Sequence, residues 1–357
     1  MRNVAKIAAA VFTVAAVSAA ATETLAGSPV TIPFVPTGIS QSASSVGFAD
    51  SDVFGMNAED INHTFDLMSA TGVRTVRIII PWAGVEGTQG SFNWGQVDTV
   101  VGAANAHHMS VVGAIVATPA WAVAPGTVPI SSPPASAAAY GDFAGAVAAH
   151  YRGRVDAYEI WNEPNSVLAW TSGPQGPEPA VYAEMLKASY PKIKAADRGA
   201  VVIGGVVTAV VSFFALTMDP VTFVQKMYAA GAGGSFDALS FHPYHYNLKF
   251  SAGAGVPNSP LSQADGIHQA MAANGDGGKK LWATEYGEPN SAVDEATQAD
   301  YIRDFLAKWR TLPYAGPSYV YTTRDRVTGS SNPEESIGVY RSDWSPKPAQ
   351  AAVKSMT

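Results

Sequence analysis

The sequence contains no cysteine. No disulfide can hold the fold, and no lipid can be attached through a cysteine behind an N-terminal apolar run. Stability must come from burial, and 357 residues, 47% of them apolar, supply the material for a large core. Charged residues make up only 14%, and Lys and Arg nowhere form a block. That argues against a nucleic-acid partner, because phosphate binding needs grouped cations. High hydrophobicity with low charge also excludes general disorder. The net charge of −7 speaks for solubility alone. No short solenoid-type repeat is present, and no Gly-rich phosphate loop follows the first strand candidate.

The N-terminus has no apolar run of the roughly 20 residues that a membrane span needs. Its uncharged run, Ile7–Val17, is shorter and follows Arg2 and Lys6. Small residues at Ser18–Ala21 and again up to Ala26 complete the pattern of an export signal. The expected organisation is a signal peptide over 1–26, a linker over 27–44 and one domain over 45–357. A secreted protein, extracellular or in the cell envelope, follows from that pattern. It would be monomeric and without stable membrane insertion once the signal is removed.

What the sequence does have is alternation. Runs rich in Val, Ile and aromatics are each followed by an Ala-rich stretch of helical period. Strands are predicted near 45–48, 74–80, 110–117, 157–161, 200–206, 238–242, 280–284 and 318–322. Helices are predicted near 58–70, 94–106, 137–150, 179–196, 220–229, 263–273 and 296–309, with a last one from about Lys347. Asn57 ahead of Glu59 and Asp60 reads as a helix cap, and Pro220 after Asp219 as a first helical turn. Strands such as "VRTVRIIIPW" are apolar throughout, which indicates a parallel sheet covered on both faces. Eight such units predict an α/β fold, a single-domain (β/α)8 TIM barrel, with a doubly wound sheet as the competitor. The segments after strands are the long ones. In a barrel they line the C-terminal mouth, where active sites form.

Two of the strands end in acids. "YEIWNEPN" delivers Asn162 and Glu163 at the end of the fourth, and "KKLWATEYGEP" delivers Glu285 at the end of the seventh. Strands four and seven face each other across a barrel mouth. Two carboxyl groups facing over a cleft can break a glycosidic bond. One protonates the departing oxygen, and the other meets the positive charge that develops on the sugar carbon. Trp82 and Trp121 fall just past strand ends, where an aromatic face could stack on a sugar ring. Trp170 is left open between stacking and packing. Glu86 and Glu288 are further acids near the mouth, and Asp325 reads as a structural partner. His242 and His245 lack a third ligand at metal-binding spacing, so no metal is expected.

These stretches resemble clan A glycoside hydrolases. "WNEPN" and "WATEYG" carry the likeness, supported by "VRIIIPWAGVEGTQGSFNW", "TPAW", "FDALSFHPY" and "SPKPA". The closer resemblance is to family 39 and to family 5-type enzymes, from Gly47 onward. It implies a retaining mechanism without a cofactor, with Glu163 as acid/base and Glu285 as nucleophile. It further implies Asn162 on the sugar 2-hydroxyl, Arg77 holding the nucleophile ionised, and His242 and Tyr244 bordering the carboxylates. One departure stands out. The eighth strand, "SYVYTTRD", lacks the Trp that these families often carry, leaving Tyr319 and Tyr321. The expected function is a secreted retaining glycosidase acting, preferably endo, on a polysaccharide or oligosaccharide, at bonds that the resemblance implies are β. Alternatives are a carbohydrate-binding barrel without turnover, or a transglycosylase using the same intermediate. The apolar stretch Val210–Met218 is expected first to pack under neighbouring loops, with covering the cleft or touching a lipid-linked substrate as the alternatives.

Overall fold

In the computed structural model, which describes residues 38–172 and 176–357, eight parallel strands close into a barrel. They are β1 (Val46–Ala49), β2 (Thr75–Pro81), β3 (Ser110–Val116), β4 (Ala157–Ile160), β5 (Val201–Thr208), β6 (Ala238–His242), β7 (Leu281–Tyr286) and β8 (Ala315–Tyr321). Each pairs with the next, and β8 returns to β1 with Val46 opposite Ser318 and Ala49 opposite Tyr321. The predicted signal peptide, and the linker as far as residue 37, lie outside the described residues. Among the described residues, no helix is long and apolar enough to cross a membrane.

The helices form where the sequence places their signals. Asn57 accepts the Asp60 N–H, Ser136 that of Ala139, Asp219 that of Thr222, Ser259 that of Ser262 and Asp294 that of Thr297. Each cap satisfies an N–H that the helix itself leaves free. The helices 58–70, 137–150, 179–196 and 220–229 have the predicted bounds. Strand ends differ more. β5 runs to Thr208 because a bulge at Gly205 and Val206, both with positive φ, lets the ladder resume at Val207. β7 runs on through Glu285 to Tyr286, which still pairs with Val320.

The core has two layers. One lies between strands and helices; the other fills the barrel and includes Val112, Ala157, Ile203, Ala238, Trp282 and Tyr319. Tyr319 belongs to this inner layer, bonded to Thr75, and is therefore remote from solvent. Two charged side chains share the interior: Arg77 from β2 and Glu159 from β4. Such burial demands pairing, and the partner groups identify the site.

Candidate active site

Strand β4 is broken by its own backbone. Trp161 has φ 71° and Glu163 φ 45°, a left-handed conformation that costs energy for a non-glycine residue. It is held by hydrogen bonds from Glu163 N–H to the Val206 carbonyl (2.8 Å) and from Ser166 N–H to the Glu163 carbonyl (3.1 Å). The buried strand thus stops and turns its acid into the mouth, where Glu163 is 8% exposed.

Arg77 rises from β2 into the centre of the barrel. Its Nε donates to Glu159 Oε2 (2.5 Å), its Nη1 to Glu285 Oε1 (2.5 Å) and its Nη2 to Asn162 Oδ1 (2.8 Å). One rigid guanidinium therefore fixes side chains from β7 and from both ends of the β4 turn. Tyr244 donates to the other Glu285 oxygen at 2.9 Å. Burial alone would raise the Glu285 carboxyl. The charges of His242 and Arg77, with the hydrogen bonds of Tyr244 and Arg77, outweigh it and hold the group below the ordinary Glu value.

His242, fully buried at the end of β6, joins the two acids. Its Nδ1 bonds Glu163 Oε1 at 2.8 Å and lies 3.6 Å from Glu285 Oε2; its Nε2 meets Thr284 Oγ1 at 3.1 Å. Burial opposes its protonation, but the charge of Glu285 and the bond to Glu163 prevail and raise its pKa. Ligand-type atoms of Glu163, His242 and Glu285 all lie within 4.8 Å of one another. That is metal-binding reach, yet the Arg77 cation sits on Glu285 and would repel an added one. A small cleft adjoins Asn162, lined by Val116, Ala117, Ile130, Ser131, Trp161 and Ala169.

Of the expected site residues, Asn162, Glu163, Glu285, Arg77, His242 and Tyr244 thus converge. Tyr321, 9% exposed, ends β8 at the same mouth and feels the charge of Glu285. Trp121 is half-buried and donates to the Glu86 carbonyl. The stacking role expected of Trp82 is not possible. The indole has no exposed surface, lies stacked on Phe143 and donates to Glu86 Oε2 at 2.7 Å. Glu86 is committed to that bond and to Gly90 N–H, and Trp170 is buried against Trp161 and Tyr182. Asp325 does pair structurally, with Lys347 at 2.7 Å.

The sequence reading missed Glu159, Thr284 and Glu334. Glu159 could have been found as the one acid among apolar residues in "AYEI", with Arg77 as its counterpart in β2. Glu334 sits in a short 3-10 helix, Pro333–Glu335, in the long segment after β8. Burial, then the charges of Glu285 and Glu163, push its carboxyl up to about 7, so it lies within electrostatic reach of both acids. Nothing in its local sequence, "NPEES", distinguishes it from a surface acid.

No curated protein matches the sequence. Many solved structures share its fold. A family 39 glycoside hydrolase from the gut symbiont Bacteroides cellulosilyticus superposes with a TM-score of 0.71 at 21% identity, over 88% of this chain. The chain spans 63% of that protein's length. A family 5 subfamily 18 protein from Streptomyces cattleya, in complex with GlcNAc, gives 0.67 at 14% identity, covering 89% of this chain and 80% of its own. A monomeric beta-xylosidase from Caulobacter crescentus gives 0.66 at 17%, covering 89% and 69%. Likeness at such identities speaks to the barrel alone. The sequence pattern of the cellulase family, glycosyl hydrolase family 5, matches residues 36–316, and the chain belongs to that family, among the clan A glycosidases.

Proposed function

We propose that the protein hydrolyses a β-glycosidic bond with retention of configuration, by double displacement between Glu163 and Glu285. The observation that carries this is the approach of the two acids, whose oxygens come within 4.8 Å. Retaining enzymes hold their carboxyl groups about 5–5.5 Å apart, and inverting ones about 6.5–9.5 Å to admit a water. The two environments suit the two tasks. Glu285, beside Arg77 and Tyr244, is kept as a carboxylate ready to attack the anomeric carbon. Glu163 gives its proton to the glycosidic oxygen and later takes one from the water that releases the sugar. His242, bonded to Glu163, keeps that carboxyl turned toward the cleft. Asn162 has its oxygen taken by Arg77, which leaves its amide N–H groups to meet the sugar 2-hydroxyl.

The chemistry needs neither cofactor nor metal. The long segments after β3, β5, β6 and β8 favour an extended cleft and so endo action on a polysaccharide or oligosaccharide. Export by residues 1–26 and a monomeric state in solution belong to the same proposal. The test is a screen of plant, biofilm and cell-wall glycans with products read by mass and the anomer of the first product read by NMR. A first product of inverted configuration would refute the double displacement, and single-sugar products alone would refute endo action.

A further inference from the structure

The stretch Val210–Met218 does not pack away. Only its ends are covered: Val210 is 9% exposed and Met218 rests against the core. Between them Val211 is 48% exposed, Phe213 37%, Phe214 90% and Leu216 49%. These are four of the eight large apolar side chains exposed among the described residues, all within six positions. Phe213 and Phe214 stand edge to face, 4.8 Å between centroids.

The loop is fixed in this form by its own hydrogen bonds. Phe213 N–H donates to the Thr217 carbonyl and Leu216 N–H to that of Phe213. Thr217 Oγ1 donates to the Val211 carbonyl (2.7 Å), and Asp219 N–H to Ser212 Oγ (2.9 Å). Phe214 is held with φ 47°, a strained conformation for an aromatic residue. An apolar tip so constrained and so exposed calls for an apolar occupant.

Its position says which. The loop is bonded to the segment that carries Glu163. Val167 N–H donates to the Leu216 carbonyl and Met218 N–H to that of Asn165, both at 2.9 Å. Fully buried Asn165 also donates to the Met218 carbonyl at 3.0 Å. The proposed acid protonates the leaving oxygen, so the leaving group extends past Glu163, toward this side of the mouth. Neither Val206–Asp219 nor Ser166–Glu178 contains a Lys or Arg, so neither segment brings a cation for a phosphate or an anionic lipid head.

We propose that the Val211–Leu216 loop is a leaving-group site for a neutral apolar chain, and that the glycan cleaved is one joined to an alkyl or lipid alcohol. This rests on the glycosidase reading above. The test uses methyl, butyl and octyl β-D-glycosides of glucose, xylose and mannose, kept below micelle formation. Each methylene buried is worth about fourfold in binding. The wild-type kcat/KM is expected to rise at least tenfold from methyl to octyl for the sugar it accepts. The Phe213→Ser/Phe214→Ser protein should lose that ratio, and Phe213→Leu/Phe214→Leu should keep most of it. The ratio is taken within each protein, so it is insensitive to the fraction folded. Turnover without chain-length dependence overturns the inference and leaves the glycosidase reading standing. Calorimetric binding to the Glu285→Gln protein needs no turnover. Octyl preferred tenfold over methyl there supports the site whether or not the wild type hydrolyses these single-sugar glycosides; no preference overturns the site. Co-sedimentation with phosphatidylcholine vesicles that depends on the two phenylalanines, with no chain-length effect, overturns it in favour of a membrane contact.

Discussion

Replacing Arg77 with Met should damage stability and catalysis by separable amounts. Arg77 is 1% exposed, and it is the cation paired with both Glu159 and Glu285. Met fills much of the same volume, leaves Glu159 facing an apolar interior and leaves Glu285 with only Tyr244 and His242 beside it. Glu159 suffers most. It is fully buried, and its Oε1 has no hydrogen-bond partner even with Arg77 in place. Removing one member of a buried ion pair costs about 3–5 kcal/mol, because the survivor is left uncompensated. A domain is stable by about 5–15 kcal/mol, so the variant should fold with a much lower urea midpoint. Adding Glu159→Gln removes the stranded charge and should restore roughly half of the loss. In a double-mutant cycle the pair should therefore couple by about 2 kcal/mol or more. Catalysis reports on the other carboxylate. In the proposed double displacement Glu285 must be ionised to attack, and activity then falls as pH drops through its pKa. Without Arg77 that pKa rises, so the acid limb of the kcat/KM profile should move to higher pH in both the single and the double variant. A single-variant cost below about 1 kcal/mol, or an acid limb that stays in place, would refute the electrostatic account of this arginine.

Glu285→Gln should remove turnover with the fold intact, judged by an unchanged thermal midpoint within a few degrees; normal rates would end its assignment as nucleophile. Glu163→Ala should slow substrates with poor leaving groups far more than activated aryl glycosides, since only the former need the proton; equal losses would exclude it as the acid. Glu288 is fully buried with both carboxyl oxygens unpartnered, and burial pushes it up to about 8. It stays neutral in the fold while the unfolded chain ionises near the ordinary Glu value of 4.5. Its contribution is thus intact below pH ~4.5 and is lost as pH rises toward 8, by roughly 1.4 kcal/mol per pH unit. Glu288→Gln should accordingly gain stability over wild type across that window and level off above it, as urea midpoints at successive pH values will read; a pH-independent difference would contradict this. Gly287 directly follows β7, and a Cβ there would lie 2.1 Å from the Tyr321 carbonyl oxygen. Gly287→Ala should part the ends of β7 and β8, lowering both the melting temperature and kcat.

How much of this was written in the sequence depends on the kind of signal each feature leaves. The barrel was legible because its strands are buried on both faces and its helices are periodic and capped, both local properties. Glu163 and Glu285 were legible because acids at the ends of apolar strands have few reasons to be there. Trp82 misled because position past a strand end does not say which way a ring turns. The indole found Phe143 and Glu86 instead of the cleft. The Val210–Met218 stretch misled in the opposite direction. Its apolarity argued for burial, whereas a tight set of backbone bonds holds its tip in solvent. Glu334 left no local trace at all. It reaches the site through the long segment after β8, and such segments take their course from tertiary packing.

The interior charges also explain why the two acids can be so close. Two carboxylates within 4.8 Å repel strongly where water is scarce. Arg77 answers one side of that repulsion and His242 the other, for the histidine bonds Glu163 while its charge stabilises Glu285. The guanidinium has a second duty toward Glu159, so it cannot swing away to follow the substrate. Glu159 then anchors the counter-charge of Glu285, holding in place the cation that keeps that carboxyl ionised. On this view the strained turn at Glu163 and the buried pair beneath it are parts of one arrangement. The first would aim the acid of the proposed double displacement, and the second keeps Glu285 charged beside it.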